Sequence, residues 1–99
     1  MDAQTRLESY KKTLLDIIHK YLPDCKVYLF GSRARQTNRE GADIDLALDA
    51  GKKIDFSILA NISADIEDTT IPVLIDVVDI HTISKEMINE IEKDKVEWA

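Results

Sequence analysis

Apolar and polar residues in the first third of the chain follow a helical pattern and then a strand pattern. Between residues 5 and 21 the apolar side chains recur every three or four positions, which predicts an amphipathic helix. Pro23 and Asp24 end that helix. The run CKVYLF at 25–30 is rich in residues that suit a buried strand, and Gly31 breaks it and opens a short turn or helix.

The rest of the chain repeats this alternation. Residues 43–48, DIDLAL, alternate as a half-buried strand does, and a second amphipathic helix follows the turn at 51–53. The run PVLIDVVDI at 72–80 is apolar on both faces, which predicts an interior strand. Ser84 is the expected N-cap of a last helix, whose apolar stripe is made by Met87, Ile88, Ile91 and Trp98. The order α, β, short α, β, α, β, α predicts an α/β domain, a small sheet with helices packed on it.

The bulk composition limits the size and class of the protein. Its 99 residues leave room for a single domain, residues 1–99, with the 44% apolar and 32% charged residues of an ordinary soluble globular protein. No apolar run has the length of a membrane span and no signal peptide opens the chain, so we expect a cytoplasmic protein. The single cysteine, Cys25, has no partner for an internal disulfide and lies in an apolar run, so we expect it to be buried.

The charge balance bears on the class of ligand. The net charge is −6, from 13 basic and 19 acidic residues. A protein that binds nucleic acid by neutralising phosphates usually carries the opposite sign, so polymeric DNA or RNA is not the expected ligand. Arg33, Arg35 and Arg39 form a local exception to this acidic average.

Three aspartates interrupt otherwise apolar strands. Asp43 and Asp45 are two residues apart, so in a strand they point to the same face, about 6.6 Å apart along the chain. Asp76 lies in the next strand, and if the two strands are neighbours, about 4.8 Å apart, the three carboxylates converge. Such a cluster is unfavourable until divalent cations neutralise it, and Mg²⁺ prefers oxygen ligands that it shares with phosphates. The alternative is a solvated pair of acids on an outward strand face.

Two later residues bear on this interpretation. Asp79 competes with Asp76 for the third position, but its odd spacing turns its side chain to the opposite face of the strand. His81 follows that strand, and we expect it near the edge of the cleft.

The turn after the first strand has features that suit a phosphate. Gly31 lets an anion approach the backbone closely, and the amides that follow it present hydrogen-bond donors. Ser32 adds a hydroxyl, and Arg35 adds a forked charge for phosphate oxygens. The alternative is a plain strand-to-helix turn that Ser32 caps.

Three motifs in this order resemble the minimal nucleotidyltransferase family of the DNA polymerase β-like superfamily: GSRAR (31–35), DIDL (43–46) and IDVV (75–78). The resemblance implies the polymerase β palm-like fold, with a small mixed sheet. It also implies a catalytic and metal-binding set of Asp43, Asp45 and Asp76, the last of which would assist deprotonation of the attacking hydroxyl.

The same resemblance implies a set of nucleotide-binding residues, namely Gly31, Ser32, Arg33 and Arg35. The chain departs from the family pattern at two positions. Gln36 stands where a glycine is usual, and Ala42 stands where a serine often precedes the first aspartate. Neither departure removes a carboxylate, so they affect the geometry of the turn rather than the chemistry.

The activity implied by the resemblance is transfer of AMP from ATP with two Mg²⁺ ions. Because the chain leaves no room for a second domain, we expect the acceptor to bring its own binding surface. Short members of the family resemble antitoxins of helical HEPN toxins, some of which they modify with AMP on tyrosine. Two alternatives stay open: a non-catalytic module that binds nucleotide or masks a toxin, and a small-molecule nucleotidyltransferase completed by a separate subunit. Assembly of several copies is open as well.

Overall fold

Helices and strands alternate along the chain in the order that the sequence predicts. The computed structural model describes the backbone of residues 3–39 and 41–99 and, within these ranges, the side chains from residue 6 onward. The elements are α1 (Ala3–Tyr21), β1 (Lys26–Phe30), α2 (Ser32–Arg35), β2 (Ile44–Asp49), α3 (Phe56–Glu67), β3 (Ile75–Asp79), α4 (Lys85–Asp94) and β4 (Val96–Glu97). This confirms the α/β class and adds one short strand at the end of the chain.

The four strands form one mixed sheet in the order β3-β2-β1-β4. β2 pairs antiparallel with β1 and parallel with β3, and β4 pairs antiparallel with β1. β3 is therefore an edge strand, and the prediction of an interior strand was wrong. Apolar side chains on both faces of a strand indicate that other parts of the chain pack against both faces. They carry no information about backbone hydrogen bonds at the edge.

One face of the sheet packs against α1 and α3. The core-facing side chains of β1 and β2 are those at alternate positions, as the period of a strand requires. Helix residues with exposures close to zero complete this core, and burial of each large apolar side chain contributes about 1.5–3 kcal/mol. The fully buried members include Val27, Ile44, Leu46, Leu48, Leu14, Ile18 and Ile62. Cys25 lies at the margin of this core as a buried free thiol, as predicted, and burial raises its pKa to about 11.

Helix α4 contributes a buried residue away from that core. Ile91 is 1% exposed but is not part of the α1–α3 core, and Lys95 Nζ lies 4.5 Å from the centroid of the Tyr28 ring. The Tyr28 side chain alternates with Val27 and Leu29, so it points to the other face of the sheet. The helix begins as predicted, because the Met87 N–H donates to Ser84 Oγ at 3.1 Å.

The chain after α4 becomes extended, which corrects the prediction that Trp98 belongs to the helix. The open edge of β1 accounts for this change, because the extended segment satisfies its backbone groups. The Trp98 N–H donates to Val27 O at 2.8 Å, and the Val27 N–H donates to Ala99 O at 3.0 Å. Trp98 is half-buried and packs against the core. Among the described helices, none is both long enough and apolar enough to cross a membrane.

Candidate active site

Strand register brings the predicted acids to one end of the sheet. Asp45 and Asp76 are direct partners in the parallel pair of β2 and β3. Asp43 lies just before β2, which begins at Ile44. Asp45 is also the antiparallel partner of Phe30, the last residue of β1, so the turn that follows β1 opens beside the acids. The expectation that these strands are neighbours is confirmed, whereas the roles of the acids stay predictions.

The ionised form of Asp45 is electrostatically unfavourable beside the other two acids. Desolvation by partial burial raises the pKa of Asp45, and the charges of Asp76 and Asp43 raise it further, whereas Arg35 opposes the shift. Asp43 and Asp76 are exposed. No hydrogen bond or ion pair joins any of the three to another residue in the described part of the chain. A cation placed between them would relieve this repulsion.

Gly31 creates the space beside Asp45. Its φ is +77°, a left-handed conformation that side chains with a Cβ rarely adopt. A Cβ built at this position would lie 2.5 Å from Asp45 Oδ2, well inside van der Waals contact. Only glycine therefore allows the turn and the carboxylate to lie so close together.

Gln36 shows why a glycine is usual at its position in the family. It is the residue after α2 and adopts a left-handed conformation, with φ 60° and ψ 30°. This conformation costs an ordinary residue about 1–2 kcal/mol relative to the right-handed region. The departure from the family pattern thus leaves the turn geometry in place, at some cost in stability.

The two predicted arginines of the turn have different surroundings. Arg35 is exposed, and its Nη1 donates to Asp94 Oδ2 of α4 at 2.8 Å. Arg33 is buried, and its Nε and Nη2 both donate to the Ala42 carbonyl, at 2.9 and 2.7 Å. The structure therefore brings Arg35 near the acids and directs Arg33 to the backbone of the loop that precedes them. Sequence reasoning missed both partners, because no periodicity links residues so far apart.

The oxygen ligands of the three aspartates suit a hard divalent cation, but they are not arranged as a complete metal site. In the described ranges, no group of three or more His, Cys, Asp or Glu side chains is arranged to hold a metal ion. Mg²⁺ is usually bound through one or two carboxylates together with substrate phosphates. Unpartnered carboxylates next to the space left by Gly31 fit that mode of binding. Asp43, Asp45 and Asp76 are the residues that would hold such a cation, together with the phosphates of a nucleotide.

The opposite end of β2 and β3 has a structural role. Asp79 is 2% exposed, with Oδ2 accepting from the Ile54 N–H at 2.8 Å and Oδ1 from the His81 N–H at 3.0 Å. Asp79 therefore points away from the face of Asp76, as predicted. The His81 ring Nε2 lies 2.8 Å from Asp49 Oδ1. The expectation that His81 borders the cleft was wrong, because His81 lies in the turn after the C-terminal end of β3, whereas Asp76 lies near the N-terminal end of that strand.

Comparisons with known proteins agree with this geometry. The family model described as Polymerase beta, Nucleotidyltransferase matches residues 12–97. A chain of a toxin–antitoxin crystal structure with AMP-PNP is 19% identical and has a TM-score of 0.76, over 90% of this chain and 72% of that chain. A chain of the complex of tri-AMPylated Shewanella oneidensis HEPN toxin with MNT antitoxin is 17% identical, with a TM-score of 0.72 over 93% and 71%.

A chain of the toxin–antitoxin complex MntA-HepT is 15% identical, with a TM-score of 0.65 over 93% of this chain and 71% of that chain. At these identities the likeness shows a shared fold. None of the curated proteins matches this sequence significantly. The family model covers most of the chain, from the middle of α1 to β4, and includes all the residues of the candidate site. The chain therefore belongs to the Polymerase beta nucleotidyltransferase family.

Proposed function

We propose that this chain transfers AMP from ATP to a hydroxyl of a partner protein, with release of pyrophosphate: the hydroxyl oxygen bonds to the α-phosphorus, and the bond from that phosphorus to the pyrophosphate oxygen breaks. The partner is a helical HEPN toxin, the acceptor is a tyrosine of that toxin, and the transfer makes this chain its antitoxin. The proposed compartment is the cytoplasm, where ATP is supplied and Cys25 stays reduced.

The observation that carries this proposal is the pair of Asp45 and Asp76 in direct register beside Gly31. The charge of Asp76 makes the ionised form of Asp45 less favourable. Their arrangement is explained by a ligand that brings positive charge. A magnesium nucleotide supplies that charge and has phosphates that fit beside a residue without a side chain.

Each residue of the site has a part in this chemistry. Asp43, Asp45 and Asp76 would hold two Mg²⁺ ions, which when bound polarise the transferred phosphoryl group and lower the pKa of the acceptor hydroxyl. Asp76 is exposed on the edge strand, where an acceptor hydroxyl reaches it from outside the sheet and its carboxylate accepts the proton.

The turn after β1 holds the phosphates in this proposal. The Gly31 backbone and the Ser32 hydroxyl bind phosphate oxygens at short range. Arg35 uses one of its five N–H donors on Asp94, so donors remain for the triphosphate. Arg33 donates its hydrogen bonds to the Ala42 carbonyl and so supports the loop before Asp43, rather than binding a phosphate itself.

The kind of partner is supported by the structural relatives. One of them is a complex that contains an AMPylated HEPN toxin, and another was crystallised with AMP-PNP. A partner protein of this kind would bring its own binding surface to the reaction.

Intact mass spectrometry tests the proposal. The chain is incubated with its purified HEPN partner, Mg²⁺ and each nucleoside triphosphate in turn. We expect the partner to gain one or more AMP units with ATP, and to gain none when a chelator replaces Mg²⁺ or when the chain carries Asp76→Asn. Digestion of the modified partner then identifies the acceptor side chain.

One observation favours a second candidate, a module that binds and masks the toxin without transfer. The described acids do not form a ready metal group. If the wild-type chain binds its partner tightly and leaves it unmodified with every nucleotide, the masking module replaces the transferase. If the partner neither binds nor gains mass, a small-molecule acceptor becomes the next candidate.

A further inference from the structure

Arg33 is buried although it carries a charge. Of the side chains that the structure describes, only Arg33 and Asp79 are both charged and buried. A buried charge is costly unless hydrogen bonds replace its lost water. The Arg33 guanidinium meets this requirement by donating from Nε and Nη2 to a single acceptor, the Ala42 carbonyl, at 2.9 and 2.7 Å.

That carbonyl belongs to the residue immediately before Asp43. Asp43 lies outside β2, and the Ile44 N–H that follows it donates to Leu74 O, of the residue before β3, at 2.9 Å. The strand therefore fixes the backbone only on the C-terminal side of Asp43. On its N-terminal side, Arg33 fixes the Ala42 carbonyl and so ties the loop back to α2.

We infer that Arg33 is a positioning residue that holds the Asp43 backbone, so that the Asp43 carboxylate shares a divalent cation with Asp45 and Asp76. This inference rests on the proposed function, since it assumes that the three acids bind metal. Asp43 is exposed, and its side chain makes no hydrogen bond to another described residue. The backbone of Asp43 therefore sets which positions its carboxylate can reach, and Arg33 acts on that backbone through the Ala42 carbonyl.

The planar guanidinium is suited to this clamp in a way that a lysine is not. Two N–H groups of one fork reach the carbonyl together and set its direction, whereas an ammonium on a flexible stem supplies a point charge. Arg33→Lys thus keeps the positive charge but no longer fixes the direction of the Ala42 carbonyl. Arg39→Lys is the matched control, because Arg39 lies exposed in the same loop and undergoes the same exchange.

Binding of Mn²⁺ in the presence of AMP-PNP, followed by electron paramagnetic resonance, tests the inference without catalysis. We expect Arg33→Lys to weaken Mn²⁺ binding about tenfold, the usual effect of losing a residue that orients a metal ligand. Arg39→Lys should bind as the wild type does. Circular dichroism checks the fold of each variant, and Arg33→Gln, which leaves no buried charge, takes the place of Arg33→Lys if that variant is unfolded.

A double-mutant cycle with Asp43→Asn separates positioning from general loss of structure. If Arg33 acts through Asp43, Arg33→Lys weakens Mn²⁺ binding in the wild-type background and has no further effect in Asp43→Asn. Equal weakening in both backgrounds, or no weakening in either, overturns the inference while the metal site stands. A wild-type chain that binds no Mn²⁺ with AMP-PNP overturns the metal site of the proposed function, and the inference with it.

Discussion

The two ends of the β2–β3 pair carry the same residue type in opposite situations. At the N-terminal end, Asp45 and Asp76 face each other in register and have no hydrogen bond or ion pair to another described residue. At the C-terminal end, Asp49 accepts from the Gly51 N–H at 2.9 Å and bonds the His81 ring. Asp79 accepts from two backbone N–H groups. The carboxylates at the C-terminal end have hydrogen-bond partners within the fold, whereas those at the N-terminal end are available to a ligand.

The pKa values of two aspartates on one strand express this difference. Asp45 and Asp49 are four residues apart, so their side chains share a face of β2. Desolvation and the neighbouring acids raise the pKa of Asp45, whereas hydrogen bonds from His81 and the Gly51 backbone lower that of Asp49. The hydrogen-bond and charge partners of an aspartate in a strand thus separate a structural role from a functional one, whereas the residue type alone does not.

The largest expected effect is on the rate of AMP transfer. Asp43→Asn, Asp45→Asn and Asp76→Asn should each lower the initial rate about a thousandfold or more, because each removes a carboxylate that would hold Mg²⁺ at the reacting phosphoryl group. The matched control is Asp49→Asn, the same substitution on the same strand at the satisfied end. Its rate should stay close to that of the wild type. A fully active Asp45→Asn would remove the distinction between the two ends.

The next effect is on folding, and it falls on the other end of the sheet. Asp79→Asn should lower the free energy of unfolding by about 3 kcal/mol, because the amide replaces one buried acceptor with a donor that faces a backbone N–H. Urea unfolding measures this change. Asp55→Asn is the control, since Asp55 is exposed and its side chain makes no cap hydrogen bond. If both variants unfold alike, Asp79 does not have the structural role assigned to it.

The smallest effects are those of pH on two paired variants. The folded-state pKa of Asp45 is raised above its ordinary 3.8, so its ionised form costs stability at neutral pH, and this cost disappears as the pH falls through the raised pKa. The folded-state pKa of Asp49 is lowered below 3.8, so its ionised form contributes stability at neutral pH, which is lost as the pH falls through the lowered pKa.

Melting temperatures of both variants from about pH 7 down to about pH 3 measure these opposite signs. Asp45→Asn should melt above the wild type at neutral pH, and Asp49→Asn should melt below it. The Asp49 change should be under about 1 kcal/mol, because the Asp49 and His81 side chains are 33% and 37% exposed. Both differences should shrink toward acid pH, and same-sign shifts would contradict the comparison.

The sequence predicted the elements better than their places in the sheet. Side-chain periodicity is a local property, so β2 and the Ser84 cap were predictable from neighbouring residues alone. The edge position of β3 and the pairing of β4 with β1 are set by backbone hydrogen bonds between distant segments. The heptad spacing of Ile91 and Trp98 fits a helix, but the open edge of β1 supplies bonds that favour an extended chain.

For the candidate site, the sequence predicted the residue types but not what holds them. Odd and even spacing along β3 separated Asp76 from Asp79, and the structure confirms that separation. The contact of Arg33 with Ala42 and that of Arg35 with Asp94 have no local signature, because they depend on how the loop and α4 fold back. The location of His81 depended on the direction of β3, which a local pattern does not give.

Paramagnetic broadening of amide NMR signals by Mn²⁺, with AMP-PNP present, tests the difference between the two ends most directly. We expect the signals near Gly31, Asp45 and Asp76 to disappear at the lowest Mn²⁺ concentrations, and those of Asp79 and His81 to persist. Asp45→Asn should abolish the selective broadening at the N-terminal end. Broadening centred on Asp79 and His81, or spread evenly over the sheet, would contradict the claim that only the N-terminal end is open to a metal and its nucleotide.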